Sequence, residues 1–87
     1  MKVWLIEKIE ISGGTSYVDR KLFLEKNEKS AKKYYKHLVD KQKKENRKNG
    51  IWDLVCDESE TSFSCYEEGR AAEWCVDITV DLMEVTE

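Results

Sequence analysis

The alternation of apolar and polar residues predicts a β-hairpin at the beginning of the chain. In residues 3–11, valine, leucine and isoleucine recur at alternate positions over most of the segment, which is typical of a strand. Gly13-Gly14 follows, and two glycines suit a two-residue turn because both tolerate a positive φ. Residues 16–24 then form the returning strand, and the numbers of opposite residues are expected to sum to 27.

This register divides the hairpin into two faces. It gives the apolar pairs Val3–Leu24, Leu5–Leu22 and Ile9–Val18 and the opposite-charge pairs Glu7–Arg20 and Lys8–Asp19. We interpret the face with Val3, Leu5 and Ile9 as the core face. The other face carries four large side chains, those of Trp4, Ile6, Tyr17 and Phe23. One helix cannot cover both faces of a sheet, so either the sheet curls over these four residues or they form an exposed aromatic patch at a protein interface, such as that of a homodimer.

Apolar residues at helical spacing predict one amphipathic helix over residues 28–48. Its apolar stripe consists of Ala31, Tyr34, Tyr35, Leu38 and Val39. Because the stripe ends at Val39, we expect residues 40–48 to have little to pack against and to fray. Asn27 is the predicted N-cap, and Asn49-Gly50 is the predicted end of the helix, with glycine in the left-handed position.

Three further strands are predicted after the helix, at about residues 51–56, 61–67 and 72–85. The last has the clearest alternation of apolar and polar residues. A turn at Gly69-Arg70 makes the numbers of opposite residues in the last two strands sum to 139. The order ββαβββ predicts a single α+β domain over residues 1–87, an antiparallel sheet of about five strands covered on one face by one helix.

Composition excludes two broad classes of protein. With 40% hydrophobic and 38% charged residues, the chain is too apolar to be disordered and too charged to be a membrane protein. Its apolar runs are shorter than the ~20 residues of a transmembrane helix. The first residues, MKVWLIEKIEIS, contain acids and lack a cleavage-like site of small residues, so we expect no signal peptide and a cytoplasmic location.

Charge is divided unevenly along the chain. Residues 1–50 contain 14 of the 15 lysines and arginines against seven acids, a formal charge of +7. Residues 51–87 contain only Arg70 against 11 acids, a formal charge of −10. The net charge of −3 therefore combines a basic helix with acidic strands, which predicts two surfaces of opposite sign.

The cysteines do not have the spacing of a metal site. Cys56, Cys65 and Cys75 are separated by eight and nine residues, without the C-x₂-C pair that places two zinc ligands on one turn. Strand parity also places Cys65 on the core face and Cys75 on the opposite face, so the two cannot share an ion or a disulfide. We therefore expect free thiols, no metal, with or without His37, and no cofactor.

Candidate catalytic residues are similarly dispersed. His37 is the only histidine and lies in the lysine-rich helix, whereas the possible nucleophiles Ser62, Ser64 and Cys65 lie in a later strand. No nucleophile-elbow glycine pattern is present, and Gly13-Gly14 lacks the further glycines or lysine of a phosphate-binding loop. The sequence therefore predicts a protein that is not an enzyme.

Acidic residues of the last strands form the first candidate binding surface. Asp77 and Asp81 share a strand face, about 13 Å apart by strand rise. The predicted surface consists of Asp77, Asp81, Glu67, Glu68 and Glu73. Such carboxylates can replace phosphates against the basic groove of a nuclease or another nucleic-acid-binding protein. The alternative is an ordinary acidic sheet whose carboxylates pair with the protein's own lysines.

Basic residues of the helix form the second candidate surface. It consists of Lys36, Lys41, Lys43, Lys44 and Arg47. These side chains could neutralise phosphates while nearby tyrosines stack on bases, so a nucleic-acid-binding module is the alternative function. The competing interpretation is that the lysines solvate the outer face of an amphipathic helix whose tyrosines belong to the core.

The beginning MKVWL, the short hairpin and the helix that opens with EKSAKKY resemble small α+β proteins of bacteriophages and mobile elements. Some proteins of that kind are anti-CRISPR or other anti-defence inhibitors, which bind a host protein and perform no chemistry. The resemblance implies a phage-encoded inhibitor. The first hypothesis is thus a non-catalytic interaction module that binds a basic protein surface, and a homodimeric accessory protein is the second alternative.

Overall fold

The computed structural model describes residues 1–48, 54–67, 69 and 73–86. Its elements are β1 (Lys2–Ser12), β2 (Thr15–Leu24), a 3₁₀ turn (Glu25–Asn27), α1 (Glu28–Lys48), β3 (Leu54–Glu58), β4 (Ser62–Glu67) and β5 (Trp74–Glu84). All strand pairings are antiparallel, and the sheet order is β2-β1-β5-β4-β3. The α+β class, the ββαβββ order and the single packed helix are therefore confirmed.

The hairpin register is also confirmed. The observed pairs run from Val3 opposite Leu24 to Ser12 opposite Thr15, so opposite numbers sum to 27 throughout. Gly13 and Gly14 have φ angles of 58° and 84°, the two successive positive values that a type I′ turn requires. The turn and the alternation of side chains together suffice to define this register.

The assignment of the hairpin faces was wrong. Ile6 is 1% exposed and lies in the core beneath α1, whereas Leu22, on the predicted core face, is 62% exposed. Trp4 and Phe23 pack against the same core, and the indole N–H of Trp4 donates to the carbonyl of Glu25 at 3.1 Å. The hairpin face with Trp4, Ile6 and Phe23 carries the larger side chains. The helix covers this face because burying these side chains removes more apolar area from water.

This reversal also corrects the prediction of an exposed aromatic patch. Ile6 is buried, while Trp4 and Phe23 are half-buried beneath α1, so the three do not form a free surface. Tyr17, the fourth predicted member, is 60% exposed at the other end of the hairpin. The helix-free side of the hairpin exposes aliphatic rather than aromatic side chains.

The centre of the core lies between α1 and the central strand β5. Ile78, Val76, Val80 and Phe63 are almost completely buried there, together with the helix residues Ala31, Tyr35 and Val39. In the β4–β5 ladder Phe63 pairs with Ile78, so opposite numbers sum to 141 and not to the predicted 139. This shift of two residues preserves the faces and lengthens the connection. Gly69 has a φ of 77°, and Arg70 lies outside the described residues.

The predicted fraying of residues 40–48 was wrong. α1 is helical to Lys48, and it buries Gln42 and Asn46 in its last turns. Gln42 and Asn46 follow Tyr35 and Val39 at helical spacing. The buried side of the helix therefore continues beyond Val39, but with polar amides in place of apolar side chains. Asn27 belongs to the 3₁₀ turn that leads directly into α1. The predicted helix end at Asn49-Gly50 and residues 51–53 of the third strand lie outside the described residues.

Candidate functional site

The sheet surface opposite α1, here called the helix-free face, carries three exposed carboxylates. The register places Asp77 of β5 opposite Ser64 of β4, and Ser64 opposite Asp57 of β3. Asp81 lies on the same face of β5 as Asp77. Strand spacing and rise place Asp57 about 10 Å and Asp81 about 13 Å from Asp77. We call Asp57, Asp77 and Asp81 the acidic surface.

The acidic surface has no cation among the described residues of its own three strands. Within their stated bounds, β3, β4 and β5 contain no lysine and no arginine. The ion pairs between described residues join the Met1 amino group to Glu84, Arg20 to Glu7, Lys32 to Glu28 and Lys43 to Glu58. None of these pairs involves the acidic surface, so its carboxylates are available to a partner.

The other predicted acids lie elsewhere. Glu67 is opposite Leu54 and shares the helix side of β4 with Cys65. Glu73 lies in the turn before β5, where its carbonyl accepts a hydrogen bond from the amide of Gly13 at 2.9 Å. Glu68 is outside the described residues. Asp57 was missing from the predicted set, and the β3–β4 register is the observation that adds it.

An apolar groove on the helix-free face lies beside the acidic surface. Its apolar lining residues are Val3, Leu5, Leu22, Met83 and Val85, and the Glu7–Arg20 ion pair and Lys21 complete it. Leu22, Met83 and Val85 are exposed, although they belong to hydrophobic residue types. Asp81 is opposite Leu5 in the β1–β5 ladder, so one carboxylate lies at the edge of the groove. This juxtaposition of apolar groups with charges of both signs resembles the chemistry of a protein interface, with an apolar centre and a charged rim.

The predicted basic surface lies on the outer side of α1. Lys36, Lys41, Lys44 and Arg47 are exposed there, on the opposite side of the sheet from the acidic surface. Lys43 is half-buried, and its amino group donates to the two carboxylate oxygens of Glu58 at 2.9 and 2.7 Å. Four of the five predicted cations are therefore free to meet an anionic partner, while Lys43 ties α1 to β3.

Neither helix tyrosine presents a free ring for base stacking. Tyr35 is buried, and its hydroxyl donates to the carbonyl of Ser59 at 3.2 Å. Burial, and secondarily the negative charge of Glu58, raise the pKa of this hydroxyl. Tyr34 packs against Phe23, and the Lys21 ammonium lies 4.6 Å from the centre of the Tyr34 ring. Both rings are part of the packing between α1 and the sheet.

A buried polar cluster lies beneath the last turns of α1. The side chain of Gln42 donates to Asn46 Oδ1 at 2.9 Å, and Asn46 Nδ2 donates to the Sγ of Cys65 at 3.3 Å. The Sγ of Cys65 is in turn 2.9 Å from the Sγ of Cys56. Burial, followed by the hydrogen bond and the charge of Cys56, raises the pKa of Cys65 to about 12, although Asn46 acts in the opposite direction. We call Gln42, Asn46, Cys65 and Cys56 the amide–thiol cluster.

The structure does not bring the other candidate catalytic and metal-binding residues together. His37 is exposed on α1, whereas Ser62 and Ser64 lie on the helix-free face. Cys75 also lies on the helix-free face, away from Cys65. Among the described residues, no group of three or more His, Cys, Asp and Glu side chains has an arrangement that could hold a metal ion.

Comparison with known proteins identifies no relative of this chain. The chain matches no protein-family model, no curated protein and no solved structure. In the part of the chain that the structure describes, no helix combines the length and the apolar character needed to span a membrane.

Proposed function

We propose that this chain is a small, non-catalytic inhibitor that acts in the cytoplasm by binding a basic surface of a nuclease or another nucleic-acid-binding protein. The acidic surface and the apolar groove form its contact region. The main support for the proposal is the acidic surface, which consists of the exposed carboxylates of Asp57, Asp77 and Asp81. Within their stated bounds, the strands β3, β4 and β5 contain no lysine or arginine. The resemblance of the chain to phage anti-defence proteins favours the same class of function.

Electrostatics supports a basic partner. Like charges about 10–13 Å apart on one face repel one another, so this arrangement does not stabilise the isolated protein. A partner with lysines and arginines at matching positions removes that repulsion and is attracted from a distance. A groove of nucleic-acid-binding type offers such a surface, because it has evolved to hold regularly spaced negative charges.

The apolar groove supports a protein as the partner rather than a small cation. Leu22 and Met83 are 62% and 42% exposed, and covering them removes apolar area from water. Charge pairs at the rim of a protein interface contribute mainly to partner choice and association rate, while buried apolar groups contribute most of the affinity. The groove and the acidic surface thus supply both contributions on one face.

The test compares two charge reversals of equal size. Asp77→Lys with Asp81→Lys changes the acidic surface, and Asp40→Lys with Glu45→Lys makes the same change on exposed positions of α1. Each variant and the parent are used to capture host proteins, and the captured protein is purified and assayed for nucleic-acid binding or cleavage. We expect the parent and the α1 variant to bind and inhibit a basic protein, and the acidic-surface variant to lose both properties.

Retention of binding and inhibition by the acidic-surface variant would contradict the proposal. So would capture of an acidic protein by the parent. Circular dichroism of all three chains establishes that any loss is not due to unfolding.

The second candidate function is nucleic-acid binding by α1, favoured by the exposed cations Lys36, Lys41, Lys44 and Arg47. Mobility-shift assays at low and moderate salt test it, because phosphate contacts weaken steeply with salt. Tight binding that is lost in the triple variant Lys36→Glu, Lys41→Glu, Lys44→Glu would favour this function over the first proposal.

The homodimer alternative predicts a doubled mass in light scattering that returns to the monomer value with Leu22→Asp.

A further inference from the structure

We propose that Cys56 and Cys65 form a redox-active dithiol site that reacts with hydrogen peroxide and closes a reversible disulfide between β3 and β4. This inference is independent of the partner proposal. The two residues are directly opposite in the β3–β4 ladder, and their sulfurs are 2.9 Å apart. Both are free thiols in the structure.

The strand register explains why the two sulfurs meet. The amide of Ser59 donates to the carbonyl of Ser62 at 2.8 Å, so this pair is hydrogen-bonded. Hydrogen-bonded and non-hydrogen-bonded pairs alternate along an antiparallel ladder, which makes Cys56–Cys65 a non-hydrogen-bonded pair. Opposite Cα atoms are then about 4.5 Å apart, within the range of roughly 4.4–6.8 Å that a disulfide spans.

The two thiols have different environments, as the two steps of the reaction require. Cys56 is exposed and can be reached by an oxidant, whereas Cys65 is 1% exposed and can be reached only by its neighbour. Burial raises the pKa of Cys65 to about 12. The buried thiol is therefore protonated in the reduced protein and is not the first to be oxidised, since the thiolate is the reactive form. Its proton leaves only in the second step.

The proposed reaction has two balanced steps. The Cys56 thiolate attacks one oxygen of hydrogen peroxide, the O–O bond breaks, and the sulfenic acid of Cys56 forms with release of water after one proton is taken up. The Cys65 sulfur then attacks the sulfenic sulfur, the S–O bond breaks, and hydroxide leaves with the thiol proton as a second water. In sum, two thiols lose two hydrogens, and one peroxide becomes two waters.

Asn46 is a positioning residue for the second step. Its Nδ2 donates to the Cys65 sulfur at 3.3 Å and is itself oriented by Gln42, which donates to Asn46 Oδ1 at 2.9 Å. A donor directed at this sulfur stabilises the negative charge that develops as the thiol proton leaves. Asn46→Leu should therefore slow disulfide closure and displace its pH profile to higher pH. An unchanged pH profile would show that Asn46 has only a structural role.

The main experiment treats the reduced, folded protein with hydrogen peroxide and then alkylates the remaining thiols. We expect an intact mass lower by two hydrogens, one alkylated cysteine and a crosslinked Cys56–Cys65 peptide, with full reversal by dithiothreitol. Cys75→Ser is the matched control and should form the same disulfide, because Cys75 lies on the other face of the sheet. Cys56→Ser should form no intramolecular disulfide.

Three results would overturn the proposal. They are oxygen addition to Cys56 without a crosslink, a crosslink that includes Cys75, and a disulfide between two chains. The same oxidation in guanidinium chloride is the reference for an unfolded chain, where any two of the three cysteines can pair. Folded protein that gives the same mixture of pairings as the unfolded chain would equally contradict a site formed by the fold.

Discussion

At the scale of single residues, the amides of Gln42 and Asn46 occupy positions where an amphipathic helix normally buries aliphatic side chains. Both are more than nine-tenths buried, and the Gln42 Oε1 atom has no hydrogen-bond partner among the described residues. A buried polar group without a partner costs free energy, so the pair does not maximise stability. The amides instead keep a donor directed at the Cys65 sulfur.

The first prediction concerns the energetic coupling of these two amides. Asn46→Ala should lower the free energy of unfolding by about 1–3 kcal/mol, because it leaves a cavity and deprives Gln42 of its acceptor. The double variant Gln42→Leu with Asn46→Leu should lie within about 1 kcal/mol of the parent or above it, since both partners become apolar together. Urea unfolding measures both values, with Lys44→Ala as the exposed control on the same helix. A double variant less stable than Asn46→Ala would contradict this account.

The second prediction concerns alkaline pH. The folded-state pKa of Cys65 is raised from 9.0 to about 12, and that of Tyr35 is also raised. The unfolded chain therefore loses the thiol proton first, so the contribution of Cys65 to stability is constant below about pH 9 and is lost as pH rises toward 12. Cys65→Ala should flatten this decline and leave the part due to Tyr35. Unfolding free energies measured in reductant at several pH values provide the test, and equal slopes for the two chains would contradict it.

At the scale of elements, the β1–β2 hairpin shows what alternation can and cannot predict. Turn chemistry and side-chain period determine which residues are opposite, and every predicted pair is observed. Both faces, however, contain apolar residues, so alternation alone does not indicate which face the helix covers. That choice depends on burial of Trp4, Ile6 and Phe23 against α1, a contact between distant segments.

The third prediction tests the corrected faces of the hairpin. Ile6→Ala should destabilise the protein by about 2–5 kcal/mol, because Ile6 is 1% exposed in the core. Leu22→Ala is the matched control in the same hairpin and should change the free energy of unfolding by less than about 0.5 kcal/mol, because Leu22 is 62% exposed. Thermal or urea unfolding distinguishes the two. Equal losses would mean that both faces are covered in solution.

The candidate sites were predictable to different degrees for the same reason. Asp77 and Asp81 share a face by strand period alone, so the sequence predicted that relation correctly. The contact between Cys56 and Cys65 depends on the β3–β4 register. The sequence between these two strands has no turn signal as definite as Gly13-Gly14, so this register could not be predicted. The burial of Asn46 depends on how the helix packs on the sheet. Because asparagine is polar, its residue type alone predicts exposure.

At the scale of the whole molecule, the charge asymmetry of the sequence becomes a separation in space. Exposed cations line the outer side of α1, and the acidic surface lies on the opposite side of the sheet. The sheet and core between them keep these two sets apart. On the helix-free face the cation Arg20 pairs with Glu7 and not with the acidic surface. Each side can therefore attract a partner of opposite sign, and the direction of the field orients an approaching protein.

The fourth prediction separates stability from binding. Asp77→Asn with Asp81→Asn should leave the free energy of unfolding unchanged or raise it by up to about 1 kcal/mol at low salt, because removal of two unpaired like charges reduces repulsion. Added salt should diminish the gain, since it screens the same repulsion in the parent. The control Glu58→Gln should instead lose up to about 1 kcal/mol, because it weakens the pair with Lys43. Urea unfolding at two salt concentrations measures these changes, and binding of the captured protein is measured on the same samples.

Loss of binding without loss of stability is expected for the double variant Asp77→Asn with Asp81→Asn. A destabilisation larger than that of Glu58→Gln would show that these carboxylates serve the fold itself, and the acidic surface would then have no free charges to offer a partner.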